Sequence, residues 1–207
     1  IKPNWRPLTR QVHKEKITMA NRDTAGTGFT PVSTLGNTPA TSGQSKYKID
    51  NGNATNIFSG TQVQTAAGYV TVGAVNSKTI GVFNGCFFTA ANTQKPTFSN
   101  MYVASTATDN NTDVDAFVND NPFQNYEVSA NAATPQAAFM QTYQSSAVAG
   151  STVTGRSSQT LDIGNTSATA SQWRLLRQAE DVENEDILVA FGKVVVVQNL
   201  CEFVTPS

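Results

Sequence analysis

One histidine and two cysteines are all that 207 residues offer to the commonest nucleophilic and metal chemistries. His13 lies near the N-terminus, and a single imidazole excludes His-rich metal coordination and nearly removes Ser-His-Asp or Cys-His catalysis. Cys86 and Cys201 form no CxxC pair. Both sit in apolar runs, where they read as buried free thiols, or as a disulfide if their strands are neighbours. No GxGxxG or GxxxxGK[ST] phosphate loop occurs, and Gly26-Thr-Gly28 is too short to count. Charged residues make up only 14%, against about a quarter in an ordinary soluble domain. No run reaches the ~18 apolar residues of a membrane-spanning helix. No apolar core of a secretory signal stands at the N-terminus. The expectation is a non-enzyme with no catalytic, cofactor or metal residues, and with neither nucleic acid nor membrane as partner.

Thr, Asn, Ser and Gln fill the place of charge, together with Ala and Val, a mixture that suits β-structure. Residues 47–88 organise the chain: four short apolar or alternating runs, each closed by Gly, Asn, Asp or Ser, the punctuation of strands joined by tight turns. The run 80–88 is the most hydrophobic of them and reads as a central strand, with Gly81 and Gly85 as bend points. Residues 99–103, 115–118 and 126–129 read as further strands. Thr134-Pro135 has the form of a helix start, Thr as N-cap and Pro at the first helical position, predicting one short helix near 135–141. Residues 187–203 are the longest apolar stretch, expected as a strand bent at Gly192 that closes the sheet of 47–88. The fold class is therefore all-β: a compact β-barrel or β-sandwich body over 29–207, with sub-modules at about 46–130 and 131–207, and an extended basic N-terminal arm over 1–28.

Three features point towards ligands. Asp113 and Asp115, two apart, would share a face in a strand and invite a glycosidase reading. With Asp109 and Asp120 they could supply oxygen ligands to a cation, although no EF-hand pattern is present. The five carboxylates of 180–186 read as a solvated hairpin or as a docking site for the arm. Trp5, Trp173, Tyr69 and Tyr102 form no stripe at strand spacing, so packing in a core or interface is expected before sugar stacking.

Charge is unevenly placed. Residues 1–22 carry six basic groups against Glu15 alone, a net +5, while the remainder carries −6. A basic end on an acidic body suits an arm that docks on acidic surface. Its contact candidates are Lys2, Trp5, Arg6, Arg10, Lys14, Lys16, Arg22 and Phe29. Phe29, Pro31 and Val32 are also placed to tie the arm's root to the body. Met19-Ala-Asn-Arg22 reads as a natural start, which leaves residues 1–18 as either a real extension or an upstream overcall.

Several stretches resemble, in order, a family of tailed-bacteriophage head decoration, or capsid cement, proteins. They are Gly28-Phe-Thr-Pro-Val32, Lys46-Tyr-Lys-Ile49, Thr55 to Val63, Ile80-Gly-Val-Phe-Asn-Gly85, Val118-Asn-Asp-Asn-Pro122, Tyr126-Glu-Val128, Thr154-Gly-Arg-Ser157, Leu161-Asp162, Trp173-Arg-Leu175 and Asn184. The resemblance spans most of 19–203, and Met19-Ala-Asn-Arg22 is similar to that family's usual start. It implies a non-enzymatic protein on the outer capsid surface of the virion, binding across joints between major capsid protein subunits, as a homotrimer at three-fold positions. The alternative expectation is a tail or fibre component that binds a host-surface glycan.

Overall fold

The structure, a computed structural model, describes residues 21–36, 43–146, 149–166 and 171–204. The strands are β1 (Thr30–Thr34), β2 (Ser45–Ile49), β3 (Ile57–Phe58), β4 (Gln62–Ala66), β5 (Tyr69–Val72), β6 (Gly81–Thr89), β7 (Pro96–Ser99) and β8 (Met101–Tyr102). They continue with β9 (Val114–Asn119), β10 (Gln124–Ser129), β11 (Thr142–Ser145), β12 (Leu161–Thr166), β13 (Trp173–Gln178) and β14 (Lys193–Gln198). The body is all-β and its sheets are antiparallel. Among the described residues no helix is long and apolar enough to cross a membrane.

One sheet runs β1-β10-β14-β13-β11-β12; the other runs β2-β9-β6-β4-β5, with β7 also paired to β6. A two-stranded ribbon of β3 and β8 lies beside the second sheet. Each sheet curls around its own core. Tyr126, Val128, Tyr143, Leu161, Trp173, Leu175, Val194 and Val196 fill the first. Ile49, Ile57, Val63, Ile80, Phe83, Cys86, Tyr102, Val114 and Val118 fill the second. In the second sheet the end strands β2 and β5 approach one another without pairing, so the curl stops short of a closed barrel.

Period-2 alternation explains the strands at half-buried positions. In β9, Val114, Ala116 and Val118 face the core while Asp115 and Phe117 face out, as successive side chains of a strand must. β6 is central, as its apolar run predicts. A Cβ on Gly81 would lie 2.0 Å from Asn119 O, and one on Gly85 would lie 2.7 Å from Phe98 Cζ. The β6–β9 register also shifts between Phe83 and Gly85. The two glycines therefore serve close approach and a bulge together. The β4–β5 hairpin turns on Ala67 and Gly68, at φ 51° and 85°. Positive φ at both central residues is the signature of a type I′ turn.

Three expectations change. The helix near 135–141 is a single 3₁₀ turn, Gln136–Ala138, flanked by Pro135 and Phe139 in extended conformation. A second turn does not form because Phe139 is already extended and Met140 N donates to Leu175 O on β13 rather than continuing the helix. The expected strand 99–103 is split, Asn100 separating β7 from β8. The stretch 187–203 is not one bent strand, and it does not close the sheet of 47–88. Only 193–198 is strand, and it lies centrally in the other sheet between β10 and β13. Its backbone pairing with the run 47–88 is limited to the end, where Cys201 bridges Thr79. The run Val194 to Val197 is apolar throughout because the inner face meets the core and the outer face is also covered.

Cys86 and Cys201 are both buried free thiols. Burial pushes the Cys86 thiol up to about 12, so it stays protonated and inert at neutral pH.

Candidate interface at the root of the arm

Residues 21–29 do not leave the body; they are clasped onto it. Asn21 is buried, and its amide spans two points of the loop after β13. Nδ2 donates to Asp186 O at 2.9 Å and to Ala190 O at 3.0 Å, while Oδ1 accepts from Asp186 N at 3.2 Å. Arg22 N donates to Glu183 O at 3.1 Å, and the Arg22 guanidinium pairs with the Glu183 carboxylate. Asp23 N donates to Asn184 Oδ1 at 2.8 Å. Asn184 is itself 2% exposed, and its backbone carbonyl accepts from Lys193 N.

Lys193 is the centre of charge. Its ammonium lies 2.9 Å from Asp181, 3.3 Å from Glu127 and 3.8 Å from Asp23, with the side chain 18% exposed. Burial by itself lowers the lysine's pKa, but the hydrogen bonds and charges of Asp181 and Glu127 outweigh it, and the net direction is up. The Lys193 hydrogen bond, with a backbone donor from Glu183, holds Asp181 below the ordinary carboxylate range. Three elements meet on this one cation: the chain before β1, strand β10 and the loop after β13.

The clasp ends in the core. Phe29 is 2% exposed, stacked on Trp173 with ring centroids 4.3 Å apart and edge-on to Tyr126 at 6.5 Å. Phe29 N donates to Gly60 O at 2.9 Å. Trp173 Nε1 donates to Gln62 Oε1 at 2.8 Å, so the aromatic cluster also joins the two sheets.

Of the arm's contact candidates, Phe29 is corrected: its ring is core and has no surface to offer a partner. Its other assigned role, tying the arm's root to the body, is the one that it performs. Arg22 remains exposed but is engaged with the protein's own Glu183. Lys2, Trp5, Arg6, Arg10, Lys14 and Lys16 lie outside the described residues. The loop 180–186 is both an acidic surface and the seat of the root. Sequence reading named Asn184 and the stretch holding Asn21 only within the resemblance, without a role, and gave Lys193 none. The one signal was Lys193 itself, a lone cation before four valines with acids on the preceding loop.

The carboxylates considered for catalysis or cation binding are spread among separate partners. Asp109 accepts from Gln94, Asp113 from the Tyr69 hydroxyl, and Asp120 from the Tyr47 hydroxyl at 2.7 Å. Asp115 is bridged by Lys46 at 2.7 Å and Lys48 at 2.6 Å. Burial raises its pKa, the two lysines outweigh that, and the carboxyl is held low. Among the described residues no group of three or more His, Cys, Asp or Glu is placed to hold a metal ion. Trp173 and Tyr102 are fully buried, which removes them as sugar platforms. Exposed aromatics lie elsewhere, Phe123 and Phe203 among them: Phe87 and Phe98 face each other across β6 and β7, and Phe117 lies 6.1 Å from Phe98. A hollow of about 600 Å³ walled by Phe58, Val72, Ala74, Ala104, Gly150 and Gln159 presents chiefly small side chains. No protein-family model, curated protein or solved structure matches this chain.

Proposed function

We propose that this chain is a virion structural protein of the capsid-decoration type. Its β-body sits on the outer surface of a bacteriophage capsid, as a homotrimer, and staples neighbouring major capsid protein subunits. The observation that carries the reading is the clasp. Residues 1–20, net +4, continue from a point held by Asn21, Arg22 and Asp23 and backed by the buried Phe29 ring. A load on that segment is passed to the core rather than to a loose tail. The ordered resemblance over residues 19–203 supports the same reading.

Binding only to the assembled lattice shifts the equilibrium towards assembly. A tethered second contact acts at raised effective concentration, and twenty residues reach roughly 66 Å when extended. Basic groups meeting acidic capsid surface make the attachment salt-sensitive. Deleting residues 1–20 while keeping the clasp tests this: capsid occupancy and capsid heat stability should both fall, and no change in either refutes the proposal. The second reading, a tail or fibre component binding a host glycan, draws on the exposed Phe87 and Phe98, with the half-buried Phe117 beside them. Copy number decides between the two: hundreds per virion fit decoration, a handful fit a tail part.

A further inference from the structure

The hollow of about 600 Å³ is walled by separate stretches of chain: residues 54–58, Thr61, residues 72–75, Ala104, the turn at 149–152 and Gln159. Its size falls within the roughly 300–1,000 Å³ of small-molecule sites. Among its described walls there is no Asp, Glu, Lys, Arg or His. Its polar side chains are two amides, Asn56 and Gln159, and three hydroxyls, Thr55, Thr61 and Thr152.

Backbone donors fix how both amides point. Gln62 N can only donate, so the Gln159 atom 2.9 Å from it is Oε1, and Nε2 is turned away. Gln159 is 3% exposed, yet its Nε2 has no partner among the described residues and is not sealed in the interior; it opens on the hollow. Asn56 repeats the arrangement: Oδ1 accepts from Ala104 N at 2.7 Å, which leaves Nδ2 free for a ligand. The Thr61 side chain, 4% exposed, bonds to none of the described residues. Buried polar groups are normally paired, so donors and a hydroxyl held unpaired at the wall of an uncharged cavity mark a binding site. The wall is also set in advance. Gly73 N donates to Gln62 O at 2.9 Å, Ala74 N to Gln64 Oε1 at 3.0 Å, and Ala74 O accepts from Gln172 Nε2 at 2.6 Å. A preformed wall lowers the ordering cost of binding.

The lining selects the ligand class. An ionised phosphate, carboxylate or amine would lose water here without an opposite charge to replace it. A sugar hydroxyl accepts from the two amides and exchanges bonds with the threonines, while Val72, Ala74 and Val75 meet the C–H face of the ring. We propose that this hollow binds an uncharged carbohydrate. The site does not include Phe87 or Phe98, and it holds whether the chain decorates a capsid or sits on a tail.

Amide NMR titration of the full chain with maltose, cellobiose, lactose and chitobiose tests it, with glucuronate and galacturonate as charged counterparts. At least one neutral sugar should shift the amides of Asn56, Gly73, Ala74 and Gly150 saturably, and the two charged sugars should shift them several-fold less. Asn56→Asp and Gln159→Glu each keep the acceptor that the backbone needs and remove the donor; each should weaken binding several-fold. Thr61→Val, which removes a hydroxyl at nearly constant shape, should do the same with little change in Tm. Phe98→Ala should leave the titration as it is. No saturable shift with any of the four neutral sugars overturns the proposal. So do equal shifts from the charged sugars, or binding undiminished in both Asn56→Asp and Thr61→Val. Capsid occupancy is a separate measurement, so failure here leaves the decoration reading standing.

Discussion

Replacing Phe29 with alanine separates a core role from a surface one. The ring is 2% exposed and lies between Trp173 and Tyr126. Removing a fully buried phenylalanine costs about 3–5 kcal/mol, transfer and cavity together. The stacked and edge-on partners cannot move inward to fill the space, because Trp173 is held by Gln62 and the Tyr126 hydroxyl donates to Asn119 O at 2.9 Å. For a chain of this size each kcal/mol lowers Tm by roughly 2–4 °C, so the expected drop is roughly 6–20 °C. Urea unfolding followed by tryptophan fluorescence reads the change at the site, since Trp173 is the stacking partner, and the slope m should hold. Phe29→Leu keeps most of the apolar burial and loses the ring pairing, about 1 kcal/mol, which provides a folded variant if the alanine change proves too severe. Phe98→Ala, at 62% exposure, should fall within about 0.5 kcal/mol of the parent. A loss below about 1 kcal/mol for Phe29→Ala would refute the argument and return Phe29 to the surface.

Lys193→Met leaves Asp23, Glu127 and Asp181 facing one another without their cation. We expect about 1–3 kcal/mol of destabilisation by chemical denaturation, below the full cost of a broken buried pair because the site is partly solvated. The same pair sets a pH dependence. Asp181 has a lowered folded pKa, so its contribution is present above the unfolded value near 3.9 and is lost as pH falls through the folded pKa. Lys193, raised, contributes fully below its unfolded value near 10.4 and loses that as pH rises through its folded pKa. Stability measured across pH should therefore fall at both ends, and Lys193→Met should flatten both limbs. Gly81→Ala drives a Cβ to 2.0 Å from Asn119 O, a backbone clash that we expect to cost about 2–3 kcal/mol or more. Gly164→Ala, with nothing nearer than 3.6 Å, should stay within about 0.5 kcal/mol in the same thermal melts. Ala67→Asn places a residue that tolerates positive φ in the type I′ turn of β4–β5 and should raise stability by about 0.5–1 kcal/mol.

The interior strands were legible because their information is local. Alternation in Val114 to Asn119, and Gly, Asn or Asp at run ends, report a strand and its two faces within six residues. The all-β class, the central place of β6 and the core placement of Trp173 follow from such patterns and hold in the structure. Helix 135–141 was misjudged in length because Thr-Pro followed by alanines is a genuine local preference. It is overruled by the hydrogen bond of Met140 N to Leu175 O on β13, and no local window contains that partner.

What sequence alone determined is which segments extend, where they turn, and which of their faces are apolar, because each depends on near neighbours and burial preference. What only the tertiary structure decided is who pairs with whom. Val194 to Val197 is apolar on both faces, so periodicity could not say which sheet it joins; its pairing with β10 and β13 settles that. Phe29 read as a partner contact as well as the arm's root, because nothing within ten residues predicts a tryptophan 144 positions on. Asn21 finds Asp186 across 165 residues, and Lys193 finds its carboxylates on three separate elements. Side-chain amides and ion pairs are short-ranged in space and indifferent to distance along the chain, so the clasp exists only once the two curled sheets have brought its parts together.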